Sequence, residues 1–109
     1  MPQLWHYTCS HMAGLILTDG HIRPRTAGIV WATDLWPPVA EALGLTNWTL
    51  TCDRTEYRFE IVTPGLCVPW VDARRSRPPG FVARLESTPG AMPMHWWLAT
   101  CPLKVVQAW

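Results

Sequence analysis

The chain has 109 residues and a net charge near +1, enough for one domain built on one core and too few for two. A charge this close to neutral excludes the broad basic field of a protein that coats nucleic acid, and no apolar run is long enough to span a membrane. Eight tryptophans and eleven prolines stand against two phenylalanines, so a few very large side chains are expected to fill the core between stiffened loops.

Cys9, Cys52, Cys67 and Cys101 are far apart and form no C-x-x-C pair, which argues against a zinc ribbon or finger. The chain does not begin with the basic-then-apolar pattern of a secretory leader. A cytoplasmic setting with buried, reduced thiols is therefore expected, and the glycosylation pattern at Asn47-Trp48-Thr49 carries no weight.

The first element is a strand over Leu4 to Thr8, with Leu4, His6 and Thr8 on one face and Trp5 and Tyr7 on the other. Ser10 then suits a helix N-cap, Met12, Leu15 and Ile16 recur at helical spacing, and Gly20 is a natural stop for a helix of one to two turns. Such a helix start beside a strand offers backbone N–H groups to an anion. His21 to Ala27, with Arg23, Pro24 and Arg25, reads as a loop.

Gly28 to Leu35 is a second strand, rich in branched and aromatic residues. It runs through a Thr33 or Asp34 cap into a helix over Leu35 to Leu43 that Gly44 ends, prolines being tolerated in its first turn. Asn47 to Cys52 is a third strand candidate, followed by a turn at Asp53-Arg54-Thr55. Glu56 to Val62 is the clearest strand: Tyr57, Phe59 and Ile61 alternate with Glu56, Arg58 and Glu60. Arg58 between two carboxylates is either a surface ion pair or an arginine placed for a phosphate or ribose. Thr63 to Pro79 reads as a long irregular loop of the sort that forms lids and binding loops, and it carries Trp70 and the cluster Arg74, Arg75 and Arg77. A short helix over Phe81 to Ser87, a strand over Met94 to Thr100 and a closing strand over Lys104 to Trp109 complete the chain.

No Gly-rich phosphate loop, G-x-S-x-G elbow or H-E-x-x-H helix is present. His6, His11, His21 and His95 match no metal-ligand spacing, so no metal is expected. Cys9 points away from His6 on an extended strand and makes a poor nucleophile pair with it.

His6-Tyr7-Thr8, Val30-Trp31-Ala32-Thr33-Asp34-Leu35, Tyr57-Arg58-Phe59-Glu60 and Pro93-Met94-His95-Trp96-Trp97-Leu98 occur in an order that resembles small uncharacterised proteins of actinobacteria and their phages. Those proteins begin with a YHYT strand and continue through VWLTDL to HWW, and this resemblance covers almost the whole chain. More distantly the opening strands resemble the ADP-ribosyltransferase-like superfamily. That resemblance implies an α+β single domain with two or three short helices, whose split, mostly antiparallel sheet holds NAD in a central cleft. It also implies transfer of ADP-ribose to a macromolecule, nucleic acid among the candidates, in the cytoplasm of a bacterial cell. Under it His6 would contact ribose hydroxyls, Tyr7 or Trp31 would stack on a ring, Thr8 or Thr33 would bond the ribose or amide, and Arg58 would hold the pyrophosphate.

Superfamily members that transfer ADP-ribose usually carry a late-strand glutamate. Here Glu86 is the candidate for that catalytic role beside His6, although it falls in a helix or loop. Arg74, Arg75, Arg77 and His95 are the candidate substrate-binding residues. Cleavage of the nicotinamide bond passes through an oxocarbenium-like state, which a clamped ribose and a nearby carboxylate favour. The alternative is a non-catalytic module that uses the same cleft, or the Trp-rich surface, to engage a nucleotide or a host protein.

Overall fold

A computed structural model describes residues 3–24, 28–35 and 56–107. The helix expected over Leu35 to Leu43, the strand over Asn47 to Cys52, the turn at Asp53-Arg54-Thr55 and Arg25 lie wholly or mainly outside the described residues.

The chain opens with β1 (Trp5–Thr8) and α1 (Ser10–Asp19). The helix has ten residues, longer than the expected one to two turns, and its N-cap is Cys9 rather than Ser10. The extended conformation persists to Cys9, whose carbonyl accepts the N–H groups of Met12 and Ala13 at 3.1 Å each, so the helix starts one residue earlier than a hydroxyl cap would set it. Ala13 and Ile16 are buried, while Leu15, expected on the inner face, is 58% exposed. Gly20 ends the helix at φ 74°, and its N–H bonds to the Ile16 carbonyl at 2.7 Å. Only glycine takes this left-handed cap at no steric cost.

His21–Ile22, expected in a loop, form a short strand β2. Then come β3 (Val30–Thr33) and β4 (Tyr57–Ile61). The stretch expected as an irregular loop is largely ordered into regular pieces: a 3-10 turn at Pro64–Leu66, β5 (Val68–Pro69), α2 (Trp70–Ala73) and a second 3-10 turn at Arg74–Ser76. Trp70 explains the difference, because at 1% exposure its side chain ties the segment into the core instead of leaving it to flap. After α3 (Pro79–Glu86), a 3-10 turn at Pro93–His95 leads into β6 (Trp96–Ala99) and β7 (Leu103–Gln107).

Among the described residues seven strands form one sheet in the order β2-β7-β4-β1-β3-β6-β5, each neighbouring pair antiparallel. With three α-helices among the described residues the fold is α+β, and the pairing of the sheet is shortest near its middle. β1 pairs with β4 at four positions and β3 with β6 at four, whereas β1 and β3 are in ladder register at one, Trp5 and Thr33. Strand alternation then sorts the side chains. One face carries Leu4, Val30, Ala32, Phe59, Ala99 and Val105 in a core covered by Ala13 and Ile16 of α1. The opposite face carries Ile29, Trp96 and Leu98, closed by Trp70 and by Val82 of α3. There the rings of Trp31, Trp70 and Trp96 lie within 6.0 Å of one another, centroid to centroid. Each such ring removed from water contributes roughly 1.5–3 kcal/mol, so a few residues do form this second core, as the composition implies.

Candidate functional site

His6 sits where the pairing of the sheet is shortest. Its Nδ1–H donates to the Trp31 carbonyl on β3 at 2.6 Å, so beyond the single Trp5–Thr33 pair a side chain helps join the two halves. Tyr7, next along β1, turns to the other face, and its hydroxyl donates to the Leu35 carbonyl at 2.9 Å. Burial pushes the Tyr7 phenol up to about 12, against the lowering effect of neighbouring Arg58. Arg58 is the cross-strand partner of Tyr7, and its guanidinium lies 4.2 Å from the centre of the Trp5 ring, a cation–π stack.

A second group converges at the end of β3. The Thr33 hydroxyl donates to the His95 carbonyl at 2.7 Å and accepts the Leu35 N–H at 3.1 Å. His95 Nδ1–H in turn donates to Asp34 Oδ1 at 2.7 Å, and the Trp97 indole N–H reaches Asp34 Oδ2 at 3.4 Å. The His95 and Asp34 side chains are 30% and 31% exposed, so the pair is reachable by a solute. The sheet register explains the encounter: Thr33 faces Trp96, and the next residue on each strand end is Asp34 and His95. With Nδ1 bonded to a carboxylate, a neutral His95 keeps its lone pair on Nε2. A histidine oriented this way is the usual partner for proton transfer.

The Asp34, His95 and Trp97 side chains share a face with His6, whereas Thr33 turns to the other. His6 and Thr8 alternate with Tyr7, Ala32 faces Trp97 across β3 and β6, and the Asp34 side chain lies on the Trp97 side. His6 and Asp34 each follow a member of the Trp5–Thr33 pair along their own chain. Ala32 is the small residue between His6 and Trp97. The expected site residues His6, Thr8 and His95 thus share one face, together with Asp34, which the sequence marked only as a helix cap.

Other expected residues fall elsewhere. Tyr7, Trp31, Thr33 and Arg58 belong to the opposite face. Glu86 accepts the Trp70 indole N–H at 2.7 Å and pairs with Arg74 Nε at 3.0 Å. Both groups border an open pocket of about 310 Å3 lined also by Val71, Pro93 and Met94. Neither His6 nor Arg58 lines it. Arg75 is exposed and Arg77 half-buried on the turn after α2. Cys9 and Cys67 are buried free thiols and Cys101 is a half-buried one; burial pushes Cys67 up to about 11, with Cys101 adding to the rise.

Among the described residues no three His, Cys, Asp or Glu side chains gather as a metal would require, and no helix is long and apolar enough to cross a membrane. In comparisons with protein families, curated proteins and solved structures, nothing matches the chain.

Proposed function

We propose that the protein binds NAD where the pairing of its sheet is shortest and cleaves the nicotinamide–ribose bond, transferring ADP-ribose to an acceptor. The observation that carries this reading is His6, bonded to the Trp31 carbonyl beside the Trp5–Thr33 pair of β1 and β3, on the face that also holds the Asp34 carboxylate. Under it, His6 and Thr8 position the ribose, and Asp34 is the negative charge that steadies the oxocarbenium-like transition state. Glu86 is the weaker candidate, because the Arg74 guanidinium bonds both of its oxygens and offsets its charge, whereas Asp34 Oδ2 meets the Trp97 N–H at a long 3.4 Å. Arg74, tied to Glu86, serves the same ion pair, which leaves Arg75 and Arg77 as the cations for an acceptor's anionic groups.

The test is release of nicotinamide from NAD by the purified protein and by His6→Ala. Release by the wild type, reduced at least tenfold in a folded His6→Ala variant, supports the reading. Equal release by both removes His6 from the site.

A second reading rests on a different observation. Val71 and Met94, which flank the Trp70 pocket, are 59% and 69% exposed, and apolar side chains presented at a pocket rim suit a protein-binding module. Val71→Asp with Met94→Asp would then abolish capture of a host protein and leave NAD turnover unchanged.

A further inference from the structure

The pairing of His95 with Asp34 has more to offer than charge. We infer that His95 is the general base for the acceptor, and that the acceptor is therefore a group that gives up a proton as it attacks, a hydroxyl of water or of an alcohol being the simplest. This rests on the NAD reading above and adds to it the class of the second substrate.

The geometry is that of a base and its orienting carboxylate. Asp34 Oδ1 lies 2.7 Å from His95 Nδ1, the Trp97 N–H and the Thr33 hydroxyl fix the carboxylate and the His95 backbone, and both side chains are about 30% exposed. This fixes Nε2 as the proton-accepting atom. Acceptors that arrive as carboxylates or thiolates need no base, whereas a hydroxyl, like an N–H acceptor, must lose a proton as it attacks. In the step, the oxygen lone pair forms a bond to C1′ of the ribose. The C1′–N bond breaks and its electron pair leaves with neutral nicotinamide. The hydroxyl proton moves to His95 Nε2, and the imidazolium formed is stabilised by Asp34.

The charged surroundings of His95 fit this role. Asp34 contacts it directly, and His6 lies on the same face of β1 with its Nδ1 on the Trp31 carbonyl. The 3-10 turn Pro93–His95 packs on α2, whose Asp72 is exposed. Arg74 and Glu86, bordering the pocket with Pro93 and Met94, neutralise each other at 3.0 Å. Among the described residues the direct charged contact is the Asp34 carboxylate, the partner an imidazolium needs.

The experiment measures nicotinamide release against pH for the wild type, His95→Gln and His95→Ala, with NAD affinity by calorimetry. Mass spectrometry follows the ADP-ribose product in water and in water containing methanol. The wild type should show a rate that falls on the acid side, and should give ADP-ribose plus its methyl glycoside. His95→Gln should bind NAD as the wild type does, lose roughly 10²–10⁴-fold in rate and lose the acid limb; added imidazole should restore part of the rate to His95→Ala. Wild-type rate and pH profile in His95→Gln would overturn the base assignment while leaving NAD cleavage intact. No NAD binding or release by the wild type would overturn the NAD reading and this inference with it.

Discussion

Two carboxylates in this protein have nearly the same surroundings and opposite prospects. Glu86 is held by the Trp70 indole N–H and by Arg74, and Asp34 by the Trp97 indole N–H and by His95. The difference is the cation. Arginine keeps its proton at any ordinary pH, so the Glu86 pair is fixed, and it anchors a tryptophan that is 1% exposed. Histidine holds the carboxylate with one ring nitrogen and keeps a second, Nε2, as a proton acceptor, which is the site the proposed chemistry uses. The indole contacts agree: 2.7 Å at Glu86 and 3.4 Å at Asp34, a tight structural bond against a loose one. The lesson is that a carboxylate's role follows from what already occupies it.

This contrast can be broken by mutation. The largest expected effect is from Trp70→Ala, which removes the ring that packs on Trp31, Trp96 and Phe81; denaturant unfolding should show a loss of about 3–5 kcal/mol. Next is Glu86→Leu, which leaves the Trp70 N–H without its acceptor and Arg74 without its partner. A loss of about 1–3 kcal/mol is expected, and Glu86→Gln, which keeps a carbonyl for the indole, should recover part of it. Asp34→Asn should shift stability by less than about 1 kcal/mol, as for a half-exposed pair, so its effect belongs in activity. If Asp34→Asn costs more stability than Glu86→Leu, the contrast is reversed.

A smaller effect separates the interior from the surface by pH. The Tyr7 phenol is raised from 10.0 to about 12 and the Cys67 thiol from 9.0 to about 11. Both are acids whose neutral form the fold favours. Their contribution is complete below the unfolded values and is lost as pH rises through the folded ones. Thermal melts should therefore decline from about pH 9 upward, and Tyr7→Phe should soften the upper part of that decline. By contrast, the exposed Arg23–Asp19 pair at 2.7 Å lowers the Asp19 carboxyl chiefly through its hydrogen bond, and Arg23→Ala should leave the melt unchanged.

How much of this could be read from the sequence follows from the range of the interactions. Alternation along Tyr57 to Ile61 gave the strand and its buried face, because the signal is local and one face is covered. Gly20 marked the helix end for the same reason. The alternation that separates His6 and Thr8 from Tyr7 also held. The hidden part is non-local. Asp34 and His95 are 61 residues apart and meet only because β3 pairs with β6 in one register, which no local pattern specifies. Trp70 and Glu86, 16 apart, join α2 to the end of α3, and without that bond the prolines around Trp70 read as loop. A signal was present for the dyad: Thr33-Asp34 and His95-Trp96 both stand at strand ends, where side chains reach solvent and chemistry.

The most direct test sets the two carboxylates against each other in one assay of nicotinamide release from NAD, with wild type, Asp34→Asn and Glu86→Gln at equal folded concentration. The account predicts release by the wild type and by Glu86→Gln, and loss of at least a hundredfold, about 2.7 kcal/mol of transition-state stabilisation, in Asp34→Asn. Release that survives in Asp34→Asn and disappears in Glu86→Gln would contradict it.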